Sequence, residues 1–144
     1  MGKIQAETEG ISRYLTAKQK EFDSVMDTSR EVIRDSASAI TMLHNNDAKG
    51  AARKIRAAYN GIMKLKKSDS RFEYYSRQAY QEYVEATVFS GIKTKGSVPS
   101  LKDVGVGPEP YLLGLVHVRD PGVPAFGSPP IQFCIEMLRT RSYF

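Results

Sequence analysis

Glu82 and Glu85 are the residues of this sequence whose type and spacing best suit a catalytic or metal-binding role. They lie in residues 73–89, where acidic, basic and aromatic residues interleave inside a helical apolar pattern. A separation of three positions puts both carboxylates on one helix face, with Cβ atoms roughly 5 to 6 Å apart. That spacing suits metal ligands or a general base. The alternative is that both glutamates simply face solvent.

The residues around the two glutamates favour the first interpretation. Val84, Ala86 and Phe89 predict a central helix, and a paired carboxylate in such a helix is costly unless a cation neutralises it. Mg²⁺ is suited by carboxylate oxygens and water, and it usually takes one or two carboxylates from the protein. Metal-assisted phosphodiester hydrolysis, with Mn²⁺ as a substitute ion, is therefore a sensible use of the pair.

A basic run precedes and overlaps this stretch. The net charge of the chain is +5, and residues 49–77 hold nine cations against two acids. A solvated helix face explains such a run equally well, but phosphate contact is the functional interpretation, with nearby tyrosines at positions 74, 75, 80 and 83 able to stack on unpaired bases. The predicted nucleic-acid-binding residues are Arg53, Lys54, Arg56, Lys64, Lys66, Lys67, Arg71 and Arg77.

The elements that must position these residues are helices. Residues 5–45 lack proline and repeat apolar residues every seven positions, which predicts one long helix. Short connections then predict antiparallel helices over about 48–67 and 71–93, and a fourth from Tyr111. The predicted fold is an all-α, long-helix antiparallel bundle of about four helices, over residues 1–117. We expect residues 118–144 to form an irregular tail, because residues 119–130 hold four prolines and two glycines.

Several classes of protein are not expected. The lone Cys134 cannot form an intramolecular disulfide, which favours a reducing, cytoplasmic setting. No apolar run approaches the roughly 20 residues that span a bilayer, so we expect no membrane association. His44 and His117 are isolated in sequence, and neither predicts a zinc site.

Three motifs resemble the translin superfamily, which comprises translin and translin-associated factor X. They are Arg77-Gln-Ala-Tyr-Gln-Glu-Tyr-Val-Glu-Ala86, Phe89 with Gly91-Ile-Lys-Thr94, and Tyr111-Leu-Leu-Gly-Leu115. The resemblance covers roughly residues 1–116, and the acidic pair is similar to the factor X branch. It implies an all-α fold, assembly into hollow particles that are typically octameric, and binding of single-stranded RNA and DNA. For the factor X branch it also implies Mg²⁺-dependent endoribonuclease activity, with the catalytic glutamates at Glu82 and Glu85.

The sequence departs from the family after Leu115. The family continues its helix with a segment resembling Asp-x-x-Gly-Glu-Leu and carries a further catalytic aspartate on a later helix. Here the chain reads His117-Val-Arg-Asp-Pro-Gly, with no counterpart of that aspartate. We expect a truncation or a reading-frame change, the alternative being a natural short form. A third acid would have to come from Asp103, Glu109, Asp120 or a neighbouring subunit.

Two hypotheses follow. The first is a homo-oligomeric protein that binds single-stranded RNA or DNA, with an Mg²⁺-dependent endoribonuclease site formed around Glu82 and Glu85. The second is a non-catalytic helical assembly subunit, in which the two glutamates are relics or salt-bridge partners.

Overall fold

The computed structural model describes residues 2–68 and 70–118, and every regular element in these two ranges is helical. The predicted all-α fold is therefore confirmed. Most of the predicted tail, from residue 119 onward, lies outside the described residues. The elements are α1 (Gly2–His44), α2 (Ala48–Leu65), a 3₁₀ turn (Ser70–Phe72), α3 (Glu73–Lys95), α4 (Leu101–Val104) and α5 (Pro108–His117).

The connection between α1 and α2 has the local chemistry that its sequence predicts. Asn46 takes a left-handed conformation with φ of 59°, which asparagine tolerates better than most residues. Asp47 then caps α2, because its carboxylate accepts a hydrogen bond of 2.9 Å from the backbone N–H of Gly50. The chain therefore reverses within three residues and lays α2 back along α1.

Contacts along the helices give their directions. Leu65, at the end of α2, shares a surface pocket with Val25, whereas Ala51, near its start, packs in one cluster with Leu43. Thus α2 is antiparallel to α1. Helix α3 runs in the same direction as α1, since its first turns lie near Phe22 and its later turns near His44.

The core is built largely from small and β-branched residues on α1, α2 and α3. Val32, Ile62, Val84 and Val88 are all at most 1% exposed, and a second cluster at the other end of the bundle contains Ala86. Helix α3 packs against α1, α2 and α5, so it is the central helix that the sequence predicts.

Two details go beyond the four helices that the sequence predicts. Helix α4 lies in the connection between α3 and α5; Ser100 and Asp103 form a capping box at its start, and Gly105 ends it with φ of 75°. Tyr75 of α3 is 47% exposed, although its ring packs edge-on against Phe22 at 4.9 Å between centroids. An aromatic ring can cover a neighbour at the edge of a core while remaining open to solvent on its other face.

The connection between α3 and α5 is held to the bundle by side chains from three helices. Tyr83 of α3 donates a hydrogen bond of 3.0 Å to the Val104 carbonyl, and Lys66 at the end of α2 donates to the Gly105 carbonyl. From α5, the Tyr111 hydroxyl donates to the Pro99 carbonyl at 2.8 Å. These bonds fix the connection against the side of α3.

Gly114 allows α5 to approach α3 closely. A Cβ atom at this position would lie 2.4 Å from the Cβ and Cγ1 atoms of Val84 and 3.2 Å from the carbonyl oxygen of Gln81. Val84 is fully buried, so neither it nor the α3 backbone can move without disturbing the core.

We therefore expect Gly114→Ala to lower the free energy of unfolding by about 1 to 2 kcal/mol, because overpacking outweighs the gain in helix propensity. Chemical denaturation measures this change. Gly10→Ala is the matched control, since a Cβ atom there meets nothing within 4 Å and should only raise helicity. Equal stability of the Gly114→Ala variant and the wild type would contradict the close contact.

Candidate nucleic-acid interface and acidic pair

Helix α3 presents Glu82 and Glu85 at the margin of the core. Tyr83, Val84 and Ala86 are buried on either side of them in sequence, and both glutamates are half-buried. The pair therefore stands on the central helix, as predicted, at the boundary between packed side chains and solvent. Carboxylates in this position are partly desolvated, which strengthens their interaction with a cation.

Glu85 faces a pocket of about 250 Å³ that the ends of α1 and α5 complete. His44, the last residue of α1, lies over Phe89 with ring centroids 5.0 Å apart, and it lines this pocket. His117, the last residue of α5, lines it as well. Its Nδ1 atom lies 2.7 Å from the carbonyl oxygen of Leu113, and a hydrogen bond between them requires the proton on Nδ1.

Sequence reasoning missed the two histidines as neighbours of Glu85. His44 and His117 are far apart in the chain, and each was judged isolated. The available signal was their common position at the end of a helix that packs on α3. Helix ends that pack on one central helix can meet at the same point along it.

The described residues do not form a complete metal-ligand set. Within residues 2–68 and 70–118, no three His, Cys, Asp or Glu side chains are grouped so that they could hold a metal ion. The two carboxylates fit Mg²⁺ by donor type, since this ion commonly keeps several waters and takes only one or two protein carboxylates.

The sequence offers three acids that could complete the metal site. Two of them lie away from the acidic pair, and the third is outside the described ranges. Asp103 accepts hydrogen bonds from the Ser100 hydroxyl at 2.7 Å and the Ser100 backbone N–H at 3.1 Å, and these bonds hold its pKa below the usual value. Glu109 lines a different groove, and Asp120 is not among the described residues.

That second groove, of about 600 Å³, lies between the end of α2, the first turns of α3 and the start of α5. Two of the predicted nucleic-acid-binding cations, Lys66 and Arg77, line it. Glu73 and Glu109 also line it, so its charge is mixed. Tyr80 forms part of the wall, and its pKa is raised first by burial and then by the nearby Glu73 carboxylate, which keeps the phenol neutral.

The other predicted cations are distributed over the surface instead of forming one cluster. Lys54 forms an ion pair of 3.2 Å with Asp35 of α1. Lys64 and Lys67 border a shallow pocket of about 380 Å³ that Glu21 shares. Arg53, Arg56 and Arg71 are exposed.

The tyrosines separate into a structural group and an exposed group. Tyr83 is buried and Tyr80 half-buried, and burial raises the pKa of both. Tyr74 is 67% exposed, and its ring meets that of Tyr75 edge-on, with centroids 5.5 Å apart. The guanidinium of Arg77 lies 5.7 Å from the centre of the Tyr74 ring. The exposed aromatic surface of this region therefore consists of Tyr74 and Tyr75, next to a cation that also lines the 600 Å³ groove.

Within the described residues, no helix is both long enough and apolar enough to cross a bilayer.

Comparison with known proteins gives two similarities. No protein-family profile matches the chain. An uncharacterized protein of Methanocaldococcus jannaschii is 32% identical over 115 residues, which cover 75% of this chain and 50% of that protein. The chain thus spans about half the length of this curated relative.

The second similarity is to a solved structure, the crystal structure of apo-NeC3PO. It superimposes with a TM-score of 0.68 and 23% sequence identity, over 77% of this chain and 61% of that one. The chain therefore has the helical fold of apo-NeC3PO.

Proposed function

We propose that this protein binds single-stranded nucleic acid, RNA or DNA, through the first turns of α3 and the 600 Å³ groove beside them. The observation that carries the proposal is the arrangement of Tyr74, Tyr75 and Arg77, two exposed aromatic rings with a guanidinium at their side. The translin-like fold that the chain shares with apo-NeC3PO supports it.

The chemistry of this surface suits unpaired bases better than a duplex. Exposed aromatic faces stack on bases that are free of a complementary strand, and each such stack contributes about 1 to 3 kcal/mol. Arg77 can contact a phosphate or stack on a base itself. In a duplex the bases are already stacked on one another, so the two tyrosines would have nothing to stack on.

The groove adds groups that can act on the edges of bases. Lys66 is held in place by its hydrogen bond to the Gly105 carbonyl, so its ammonium group has a defined position. Glu73 and Glu109 carry acceptors that suit the amino groups of bases and would repel phosphates. On this proposal the phosphates follow Arg77 and the rim, and the bases turn toward the groove.

We also propose a second activity of the same protein, Mg²⁺-dependent cleavage of single-stranded RNA at Glu82 and Glu85. In support, both carboxylates are half-buried on the central helix, where partial desolvation strengthens their attraction for a cation. A bound Mg²⁺, or Mn²⁺ in its place, would supply water activation and stabilisation of charge on the scissile phosphate. The two carboxylates would hold that ion, and a third acid would come from Asp120 or a neighbouring subunit.

The competing proposal is a non-catalytic subunit whose helices serve assembly into a homo-oligomer. It shares the expectation of self-association with the first proposal, and it differs in predicting no RNA cleavage.

We expect Tyr74→Ala and Arg77→Ala each to weaken binding of unstructured single-stranded RNA by about 5- to 150-fold, because each removes a stacking or charge contact worth about 1 to 3 kcal/mol. Fluorescence anisotropy measures the affinity at several salt concentrations. Arg77→Ala should also reduce the slope of log affinity against log salt, since one phosphate contact is lost.

Arg30→Ala is the matched control for charge, because Arg30 is an exposed arginine of α1 that pairs with Asp27 at 3.4 Å. It should leave the affinity near that of the wild type. If the Arg30 and Arg77 variants lose affinity equally, binding depends on net charge alone and this surface is not the site.

For catalysis, the double variant Glu82→Gln, Glu85→Gln should lower Mg²⁺-dependent cleavage of unstructured RNA by at least about 100-fold, because both proposed ligands lose their charge. Gel analysis of a 5′-labelled oligonucleotide measures the rate, and Glu31→Gln on the exposed face of α1 serves as the control. Undiminished cleavage by the double variant would show that Glu82 and Glu85 do not hold the catalytic ion. RNA binding without any cleavage by the wild type would instead establish the non-catalytic proposal.

A further inference from the structure

The first third of α1 extends beyond the helices that cover the rest of it. Residues 2–17, called the N-terminal arm here, are all exposed, and the side chains of α1 become partly buried only from Lys18 onward. At 1.5 Å per residue the arm is about 24 Å long. No other described element packs over this length of α1.

The arm continues the apolar stripe that α1 uses for its own core. Ile4 and Ile11 lie at seven-residue intervals from the buried Val25 and Val32, and Leu15 is in register with Phe22. Ile4, Ile11 and Leu15 are 72%, 60% and 59% exposed. One stripe is thus covered by α2 and α3 in its second part and open to solvent in its first.

Thr8, the fourth member of the stripe, also fits an interface. Its hydroxyl donates a hydrogen bond of 2.8 Å to the Ile4 carbonyl, so the polar group is satisfied within the helix. The positions 4, 8, 11 and 15 then follow the alternating four- and three-residue spacing of a coiled coil.

The charges of the arm indicate what covers the stripe. Residues 2–10 carry Lys3, Glu7 and Glu9, a net charge of −1, whereas residues 11–20 carry Arg13, Lys18 and Lys20, a net charge of +3. A second arm in the opposite direction places each acidic half against a basic half. A parallel arm would place the two basic halves together, which is unfavourable.

We propose that the N-terminal arm is a self-association surface, on which a second copy of this chain pairs its own arm in antiparallel orientation. Ile4 of each copy then packs near Leu15 of the other, and Thr8 near Ile11, so the stripe is buried by an identical stripe. The contact is isologous and closes on itself. This inference rests on the self-association expected in the proposed function and assigns a surface to it.

The first test is the assembly state of Ile11→Glu, measured by sedimentation velocity over a range of concentrations. The variant buries a charge at the centre of the paired stripes, so self-association through the arm should weaken by at least about tenfold. Ala17→Glu introduces the same charge on the arm away from the stripe, and it should assemble like the wild type. Circular dichroism checks that both variants remain helical.

An Ile11→Glu variant that assembles like the wild type, or a wild type that is monomeric throughout the micromolar range, would overturn the proposal. RNA affinity, measured in parallel, separates this failure from failure of the proposed function, because the arm carries none of the proposed RNA contacts. An arm variant that is dissociated but still binds RNA supports both.

The second test concerns orientation. In a Cys134→Ser background, we expect Ile4→Cys mixed with Leu15→Cys to form a disulfide between copies under mild oxidation, since these positions meet only in the antiparallel pair. Ile4→Cys and Leu15→Cys kept apart should form few crosslinks. Crosslinking of each variant with itself, and no disulfide between the two different variants in the mixture, would show parallel arms and overturn the antiparallel arrangement.

Discussion

The close approach of α3 to its neighbours is the constraint on which the rest of the structure depends. Small residues permit it: Ala79 and Ala86 are fully buried on α3, and Gly114 allows α5 to lie against Val84. Close packing leaves little freedom for α3 to rotate or slide, because either movement would drive side chains into backbone. The direction in which Glu82 emerges from the bundle is therefore set by packing on the other faces of the same helix.

Much of the helical framework could be predicted from the sequence because its signals are local. The boundary at His44, the cap at Asp47 and the end of α3 at Gly96 depend on residues within one or two turns. Helix α4 was not predicted, because its four residues are too few to show an apolar period. Ser100 and Asp103 nevertheless have the residue types and spacing of its capping box.

The candidate sites were predictable only in part, since sequence order does not reveal which helix faces meet. The cations of residues 49–77 form one run in the sequence, yet α2 distributes them around its circumference, and Lys54 is directed to Asp35 of α1. Conversely, His44 and His117 are distant in sequence and share a pocket with Glu85. The helical period spreads the cations around α2, and the pairing of helices brings the two histidines together. A run of residues reveals the helical period, but it does not reveal which helices pair.

The bonds that hold the connection between α3 and α5 have a mechanical consequence. Tyr83, the neighbour of Glu82, donates a hydrogen bond to the Val104 carbonyl. Lys66, which lines the groove, donates one to the next carbonyl, that of Gly105. Two adjacent peptide units thus join the acidic helix to the wall of the groove. These bonds therefore resist a change in the spacing between the acidic helix and the wall of the groove.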